Sequence, residues 1–181
     1  MLLMHWDYAV DYFQSQPVRI EYSDSAGKLR TYTPDLWVKF HEQLAPGRKP
    51  ILFEVKYRAD LIAQASELKP KFRAARAYAK EQGGQFKVVT ETEIRSPYLE
   101  NVKFLWRYRD SRYHIEHQVK LTQTLEEMAV APVSILLEAT YRSETLRGEA
   151  LWTLWCLVAR QEIVFDMTQP VSMDTCVWLN R

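Results

Sequence analysis

Apolar and polar positions alternate over short stretches in the first part of the chain, which is typical of β-strands. The segments VRIEYSD and KLRTYT flank a turn at residues 25–27 and predict a β-hairpin. DLWVKF and ILFEVKY predict two further strands, which the turn-rich segment HEQLAPGRKP joins. We therefore expect four strands between residues 18 and 57.

A helical period follows in ADLIAQASELKPKFRAARAYAKEQGG, where two glycines mark the end of the helix. Because proline lacks a backbone N–H, we predict either two short helices or one helix that restarts with Pro70 in its first turn. FKVVT is the next strand, so the order strand, helix, strand predicts a right-handed and parallel crossover. NVKFLWRY predicts a further helix packed on this sheet. The fold class is α/β, with a mixed sheet flanked by helices.

Helical patterns predominate after about residue 110. EHQVKLTQTLEEMA, PVSILLEATY and SETLRGEALWTLWCLVARQ predict three helices, and EIVFDM and CVWLNR predict two short strands. Several helices closed by a hairpin are typical of a small winged-helix-like domain. We therefore expect two domains, residues 1–109 and residues 110–181.

The third of these helices has apolar residues at i, i+3, i+4 and i+7, which predicts one wide core face. Trp152 lies off that face and is expected to be exposed. With Trp178 it is a candidate anchor for a protein partner, because exposed aromatic side chains often mark interfaces. The residues of the core face are Leu151, Leu154, Trp155 and Val158.

Composition limits the classes of protein to be considered. The chain has 181 residues, 47% of them hydrophobic, which is enough for a real core but short for two large domains. No apolar stretch approaches the length of a membrane span, and the start MLLMHWDYAV turns polar too quickly for a signal peptide. We expect a cytoplasmic protein without a membrane partner. Cys156 and Cys176 lie in apolar contexts and are expected to be two buried thiols.

The net charge of +1 conceals an uneven distribution. Residues 1–109 hold 18 Lys and Arg against 13 Asp and Glu, whereas residues 110–181 hold 6 against 10. A polyanion would therefore bind the first portion, and a protein partner suits the second.

A basic stripe along the predicted helix is the clearest feature of the first portion. Its residues recur at i, i+4, i+7 and i+11, opposite the apolar face of the same helix. The stripe predicts either a solvated face or contacts to DNA phosphates. It consists of Lys69, Arg73, Arg76 and Lys80.

Three charged residues lie in or beside the predicted strands. Glu54 and Lys56 are two residues apart in one strand and therefore share a face, while Phe53 and Val55 would pack on the other. If the two strands pair, Asp35 reaches the same end of the sheet. Two carboxylates suit a hard cation such as Mg²⁺, and a neighbouring lysine can hold water or neutralise a phosphate. The alternative is an ion pair at a sheet edge with no catalytic role.

The order of these residues resembles a known superfamily. Pro34-Asp35, then 18 residues, then Glu54-Val55-Lys56 matches the PD-(D/E)xK nucleases. The longer stretch QSQPVRIEYSDSAGKLRTYTPDLWV…ILFEVKYRADL resembles the TnsA endonuclease subunit of heteromeric transposases, and the following helix, strand and tail are also similar. The matching positions of the longer stretch are Gln16, Pro17, Ile20, Tyr22, Asp24, Gly27, Arg30 and Tyr32 to Asp35.

The resemblance implies a restriction-endonuclease-like fold and a Mg²⁺-dependent DNA endonuclease that nicks the 5′ ends of a mobile element. In that family a DDE transposase processes the 3′ ends, and the C-terminal domain contacts an AAA+ ATPase regulator. By the same resemblance Asp35 and Glu54 would bind Mg²⁺ with the Val55 carbonyl, and Mn²⁺ would substitute. Lys56 would position the attacking water. Gln16 would either lie beside the site on the DNA or be a buried amide that supports the hairpin.

The chain departs from the family pattern in one respect. Family members carry a further glutamate on a helix upstream of the QP segment, and we expect that helix to be missing here. Asp7 and Asp11 are the nearest acidic residues and are candidate substitutes. The alternative functions are a non-catalytic adaptor that docks the transposase or its regulator, and a stand-alone restriction or repair nuclease.

Overall fold

The computed structural model of the protein describes residues 1–180 and divides the chain into two compact units, one ending at Arg95 and one beginning at Ser96. The first unit contains α1 (Leu2–Trp6), β1 (Val10–Ser15), β2 (Ile20–Ser23), β3 (Leu29–Tyr32), β4 (Leu36–Phe40), β5 (Ile51–Val55), α2 (Arg58–Ala63), α3 (Ala65–Glu81), β6 (Gln85–Val89) and α4 (Glu91–Ile94). The second contains α5 (Pro97–Trp106), α6 (Ile115–Met128), β7 (Ala131–Pro132), α7 (Val133–Thr140), α8 (Glu144–Ala159), β8 (Ile163–Val164) and β9 (Cys176–Leu179).

A four-stranded mixed sheet forms the centre of the first unit, in the order β1-β4-β5-β6. Strand β4 pairs antiparallel with both β1 and β5, whereas β5 and β6 are parallel. The predicted mixed sheet and parallel pair are therefore confirmed. Strand β1 was not among the predicted strands.

The predicted hairpin is also confirmed, and it forms a separate two-stranded sheet of β2 and β3. Gly27 in its turn has a φ of +77°, a conformation that suits glycine. The Asp24 carboxylate accepts the backbone N–H groups of Ala26 and Lys28 and the side chain of Arg30. The Lys28 N–H and then Arg30 are the main causes that hold the pKa of Asp24 below its usual value.

The helical segment forms two helices, as one of the two predictions stated. The break lies at Gln64, however, and Pro70 is the sixth residue of α3, inside the helix. The expectation that Pro70 marks a helix boundary was wrong. A proline so early in a helix removes only the hydrogen bond to the Ser66 carbonyl, which the other contacts of α3 offset.

The inner face of α3 packs on the hairpin and on the face of the sheet that carries Trp37 and Leu52. Burial of apolar area in this layer stabilises the first unit. Because Trp37 and Leu52 lie opposite each other in β4 and β5, their side chains define the face of the sheet that looks toward α3. The buried residues are Ile20, Tyr32, Trp37, Leu52, Ala75 and Ala79.

The second unit consists of helices α5 to α8 and a three-stranded antiparallel sheet in the order β7-β9-β8. Every residue of α8 from Thr153 to Ala159 is buried, so the predicted single core face of this helix was wrong. Because neighbours surround the helix, its pattern of apolar residues has no one preferred side. Trp152 is exposed as predicted.

Helix α5 belongs to the second unit, although the sequence placed it on the sheet of the first. Phe104 packs edge to face on Trp155 of α8, with ring centroids 5.3 Å apart. The buried amide of Asn101 donates to the carbonyls of Met167 and Gln169 and accepts the Val171 N–H. These contacts tie α5 to the C-terminal part of the chain.

Both cysteines are free thiols. Cys156 is buried as expected, whereas Cys176 is exposed at the start of the short strand β9, so the expectation of two buried thiols was wrong for this residue. Among residues 1–180, none of the helices has the length and apolar character that crossing a bilayer requires.

Candidate active site

Antiparallel pairing of β4 and β5 brings the predicted carboxylates together. Leu36 lies opposite Phe53, so the start of β4 is beside the end of β5. Asp35 is fixed there by two hydrogen bonds: its N–H donates to the Phe53 carbonyl at 3.1 Å, and its Oδ2 accepts the Val55 N–H at 2.7 Å. The backbone of β5 therefore holds the Asp35 carboxylate next to Glu54.

Asp35, Glu54 and Lys56 share one face of the sheet. Side chains two residues apart in a strand lie on the same face of the sheet. Asp35 lies two residues before Trp37, and Glu54 two residues after Leu52, so both carboxylates are on the face toward α3. Val55 lies on the other face and is 43% exposed, because it is the last residue of β5. The predicted face of Val55 is therefore correct, but the expectation that its side chain packs there was wrong.

The Glu54 carboxylate is buried, with only 2% of the residue exposed, and both its oxygens have partners. Tyr32 Oη donates to Oε2 at 2.6 Å, and the Lys56 ammonium binds Oε1 at 2.8 Å. These bonds offset the cost of burying a charged group. Burial, then the hydrogen bond and charge of Glu54, with the charge of Asp35, raise the pKa of Tyr32 above its usual range.

Lys56 remains a cation in this setting. Burial alone would lower the pKa of its ammonium group, but the hydrogen bond to Glu54 and the charges of Glu54, Asp35 and Asp60 raise it above the ordinary value. Lys56 can therefore orient a water or neutralise a phosphate. It is not a neutral amine that could accept a proton.

The oxygen donors at this end of the sheet fit a hard cation. Mg²⁺ is commonly bound by one or two carboxylates, with waters and substrate phosphates completing its shell. Asp35 and Glu54 supply two carboxylates and Val55 a carbonyl, and the Lys56 ammonium already lies 2.8 Å from Glu54 Oε1 and 3.4 Å from the Val55 oxygen. Within residues 1–180 no group of three or more Asp, Glu, His or Cys side chains could hold a metal. The donors thus fit a partly hydrated ion, not a closed protein cage.

Gln16 lies beside the site, as the sequence predicted. Its N–H donates to the Asp35 carbonyl at 2.9 Å, and its own side chain is exposed. The φ of Gln16 is +48°, in the left-handed region that residues other than glycine seldom adopt. Backbone strain of this kind often occurs at functional sites, where the surrounding structure maintains it.

Asp7 and Asp11 cannot substitute for an additional carboxylate. In the pairing of β1 with β4, Ser15 lies opposite Leu36 and Val10 opposite Phe40, so Asp11 is at the far end of β4 from the site. Asp7 precedes β1 and accepts the N–H of Ala9. Neither candidate lies at the site, because the antiparallel register carries both residues away from Asp35.

The basic stripe lies on a flank of α3 and not opposite the apolar face, where it was expected. Each of its residues directly follows an apolar one, and consecutive helix residues are about 100° apart. All four of its residues, Lys69, Arg73, Arg76 and Lys80, are exposed, whereas Leu68, Ala75 and Ala79 on the inner side are buried. At 1.5 Å per residue the stripe is about 16 Å long. The predicted amphipathic helix is confirmed, and DNA contact by the stripe stays a prediction.

Two features of the site were missed from the sequence. Tyr32 is one; the sequence identified it as a position that matches the family pattern but gave it no role at the site. The other is a cavity of about 250 Å³ beside Lys56. The cavity is lined by Val55, Lys56, Tyr57, Glu91, Ile94 and Arg95.

The two tryptophans of the second unit differ in their surroundings. Trp152 is 46% exposed, but its indole N–H donates to the Arg112 carbonyl and its ring packs on Tyr108 at 4.9 Å. Trp178 lies on β9 and is 36% exposed. Both rings present some surface to solvent.

An aspartate at the start of one strand, with Glu-Val-Lys at the end of its antiparallel neighbour, defines the nuclease class with the PD-(D/E)xK arrangement. Residues 7–91 match the family model of the TnsA-like endonuclease N-terminal domain, and residues 93–167 match that of the TnsA endonuclease C-terminal domain. The chain belongs to the TnsA-like endonuclease family. The family consists of endonuclease subunits of transposases, which act on DNA together with other transposition subunits. A comparison with curated proteins found no match.

Proposed function

We propose that the protein is a Mg²⁺-dependent DNA endonuclease that nicks the 5′ ends of a mobile element during cut-and-paste transposition. The observation that carries the proposal is the meeting of Asp35, Glu54 and Lys56 on one face, at the paired ends of β4 and β5. Membership of the TnsA-like family supplies the reaction class.

The residues have distinct roles in this proposal. Asp35 and Glu54 would hold Mg²⁺ with the Val55 carbonyl, and Mn²⁺ would replace it. When bound, the ion supplies an activated water and stabilises the charge that develops on the phosphate. The Lys56 ammonium would orient an attacking water and neutralise a phosphate oxygen, since its raised pKa keeps it charged.

The basic stripe on α3 is the proposed DNA path in the first unit. Replacing Arg73 and Arg76 by Glu is expected to weaken DNA binding and to make its salt dependence shallower by about 0.9 in log–log slope per lost phosphate contact. Filter binding or fluorescence anisotropy at several salt concentrations measures both quantities. Gln16, whose N–H donates to the Asp35 carbonyl, would contact DNA near the cleaved bond.

A matched control reverses two charges elsewhere. Lys103→Glu with Lys120→Glu makes the same change in net charge on exposed residues of the second unit. The control is expected to leave the salt slope unchanged. An equal slope for the Arg73 and Arg76 variant and the unmodified protein would show that the stripe is only a solvated face.

Protein partners are assigned to the second unit. We propose a winged-helix-like unit that docks a DDE transposase and an AAA+ ATPase regulator, because residues 110–181, which make up most of this unit, are net acidic, and a net negative charge disfavours a surface that faces DNA phosphates. Trp178 is the stronger anchor of the two candidates, since Trp152 already packs on Tyr108 within its own unit.

The test is reconstitution of the protein with a DDE transposase on a supercoiled plasmid that carries the element ends, with Mg²⁺ present. Strand mapping is expected to show new breaks at the 5′ ends that require this protein. Normal 3′ processing with intact 5′ strands would favour the non-catalytic adaptor. Cleavage that needs no transposase would favour the stand-alone nuclease.

A further inference from the structure

We propose that Tyr32 is a positioning residue that fixes the Glu54 carboxylate for metal binding. This inference rests on the proposed function. The Tyr32 hydroxyl donates to Glu54 Oε2 at 2.6 Å, and both residues are buried. Tyr32 lies 22 residues from Glu54 in the sequence and belongs to the hairpin, not to the sheet that carries the site.

The two oxygens of Glu54 face different surroundings. Oε2 is held from the interior by Tyr32, whereas Oε1 is held by Lys56, whose side chain is 31% exposed. A cation that arrives from solvent therefore meets Oε1 and the partly exposed lysine. The Tyr32 bond on the interior side stays in place and keeps the carboxylate from rotating away.

Strand pairing and core packing hold Tyr32 in place, and they therefore fix its hydroxyl group. Tyr32 is the last residue of β3 and lies opposite Ile20 of β2. Its ring belongs to the core cluster with Trp37 and Leu52. Packing thus fixes the position of the ring and of its hydroxyl group. Through the hydrogen bond, the hydroxyl group in turn fixes the Glu54 carboxylate. Partners of this kind, which orient a metal ligand, are commonly worth 10- to 100-fold in metal affinity or activity.

The test is Tyr32→Phe, which removes the hydroxyl and leaves the ring. Calorimetric titration of Mg²⁺ and of Mn²⁺ into the full chain is expected to show binding weakened by roughly 10- to 100-fold. Tyr22→Phe is the matched control, since Tyr22 is a half-buried tyrosine of the same hairpin, packed against the same cluster. Tyr22→Phe is expected to bind both metals as the unmodified protein does.

A merely structural role for Tyr32 would give a different result. It would lower the unfolding temperature of Tyr32→Phe and leave metal affinity unchanged when the titration is made well below that temperature. That outcome overturns the proposal for Tyr32 alone. An unmodified protein that binds neither metal overturns the proposed function, and the role of Tyr32 with it.

A second measurement needs no substitution. In the unmodified protein with labelled tyrosine, the buried Tyr32 hydroxyl is expected to give a slowly exchanging proton resonance. Mg²⁺ is expected to shift this resonance while exchange stays slow, because the bond to Glu54 persists. A resonance that saturating Mg²⁺ leaves unmoved, or one that disappears by fast exchange, would contradict the proposal.

Discussion

Replacing Asp35 by Asn is expected to abolish saturable Mg²⁺ binding and to lower the rate of DNA nicking by roughly 10³-fold or more. Asparagine keeps an oxygen that can accept the Val55 N–H, so the link between β4 and β5 survives. What is lost is one of two carboxylate charges on which the ion depends. Calorimetry measures the binding, and conversion of supercoiled to nicked plasmid measures the rate.

Asp60→Asn is the matched control for this substitution. Asp60 also acts electrostatically on Lys56 but is not among the proposed ligands. We expect this variant to bind Mg²⁺ and to nick DNA within a few-fold of the unmodified protein. If Asp35→Asn retained full metal binding, the cation would have to bind elsewhere, and the roles given to Asp35 and Glu54 would be wrong.

Lys56→Met is expected to separate metal binding from catalysis. The nicking rate should fall by roughly 10²- to 10⁴-fold, because the group that orients the water and neutralises the phosphate is lost. Mg²⁺ affinity should stay equal or increase, since the ammonium no longer competes for Glu54 Oε1. The free energy of unfolding should fall by about 1 to 3 kcal/mol, because a buried carboxylate loses one partner.

The control for Lys56→Met is Lys87→Met, which removes an exposed lysine from the adjacent strand β6. It is expected to leave the rate, the metal affinity and the stability nearly unchanged. If Lys56→Met lowered stability alone and kept the full nicking rate, the Glu54–Lys56 contact would be a structural ion pair. The alternative raised by the sequence would then be correct.

The centre of the site could be predicted because it depends on local patterns. Alternation in DLWVKF and ILFEVKY identified β4 and β5, and the period of two placed Glu54 and Lys56 on one face. Pairing of strands that are close in sequence is the commonest arrangement, so Asp35 could be placed beside them. These inferences required only contacts between neighbouring elements.

The predictions that were wrong or missing depend on contacts between residues far apart in the sequence. The sequence pattern of α5 shows that the helix has an apolar face but not which element packs against it. In the structure α8 packs against this face. Tyr32 lies on a separate hairpin, and only the packing of that hairpin on α3 brings its hydroxyl to Glu54. Pro70 was misplaced because a helix-breaking residue is tolerated where other contacts stabilise the helix.

Because β2 and β3 pair only with each other, the fraction of molecules in which Tyr32 contacts Glu54 depends on the stability of this hairpin. Parts of a folded protein open independently, with free energies below that of global unfolding. Because no strand of the hairpin pairs with a strand of the main sheet, opening of the hairpin would withdraw the Tyr32 hydroxyl and leave β4 and β5 paired. If Tyr32 orients Glu54 as proposed, the fraction of molecules ready to bind metal would be limited by the local stability of this hairpin, and amide exchange in β2 and β3 would report that fraction.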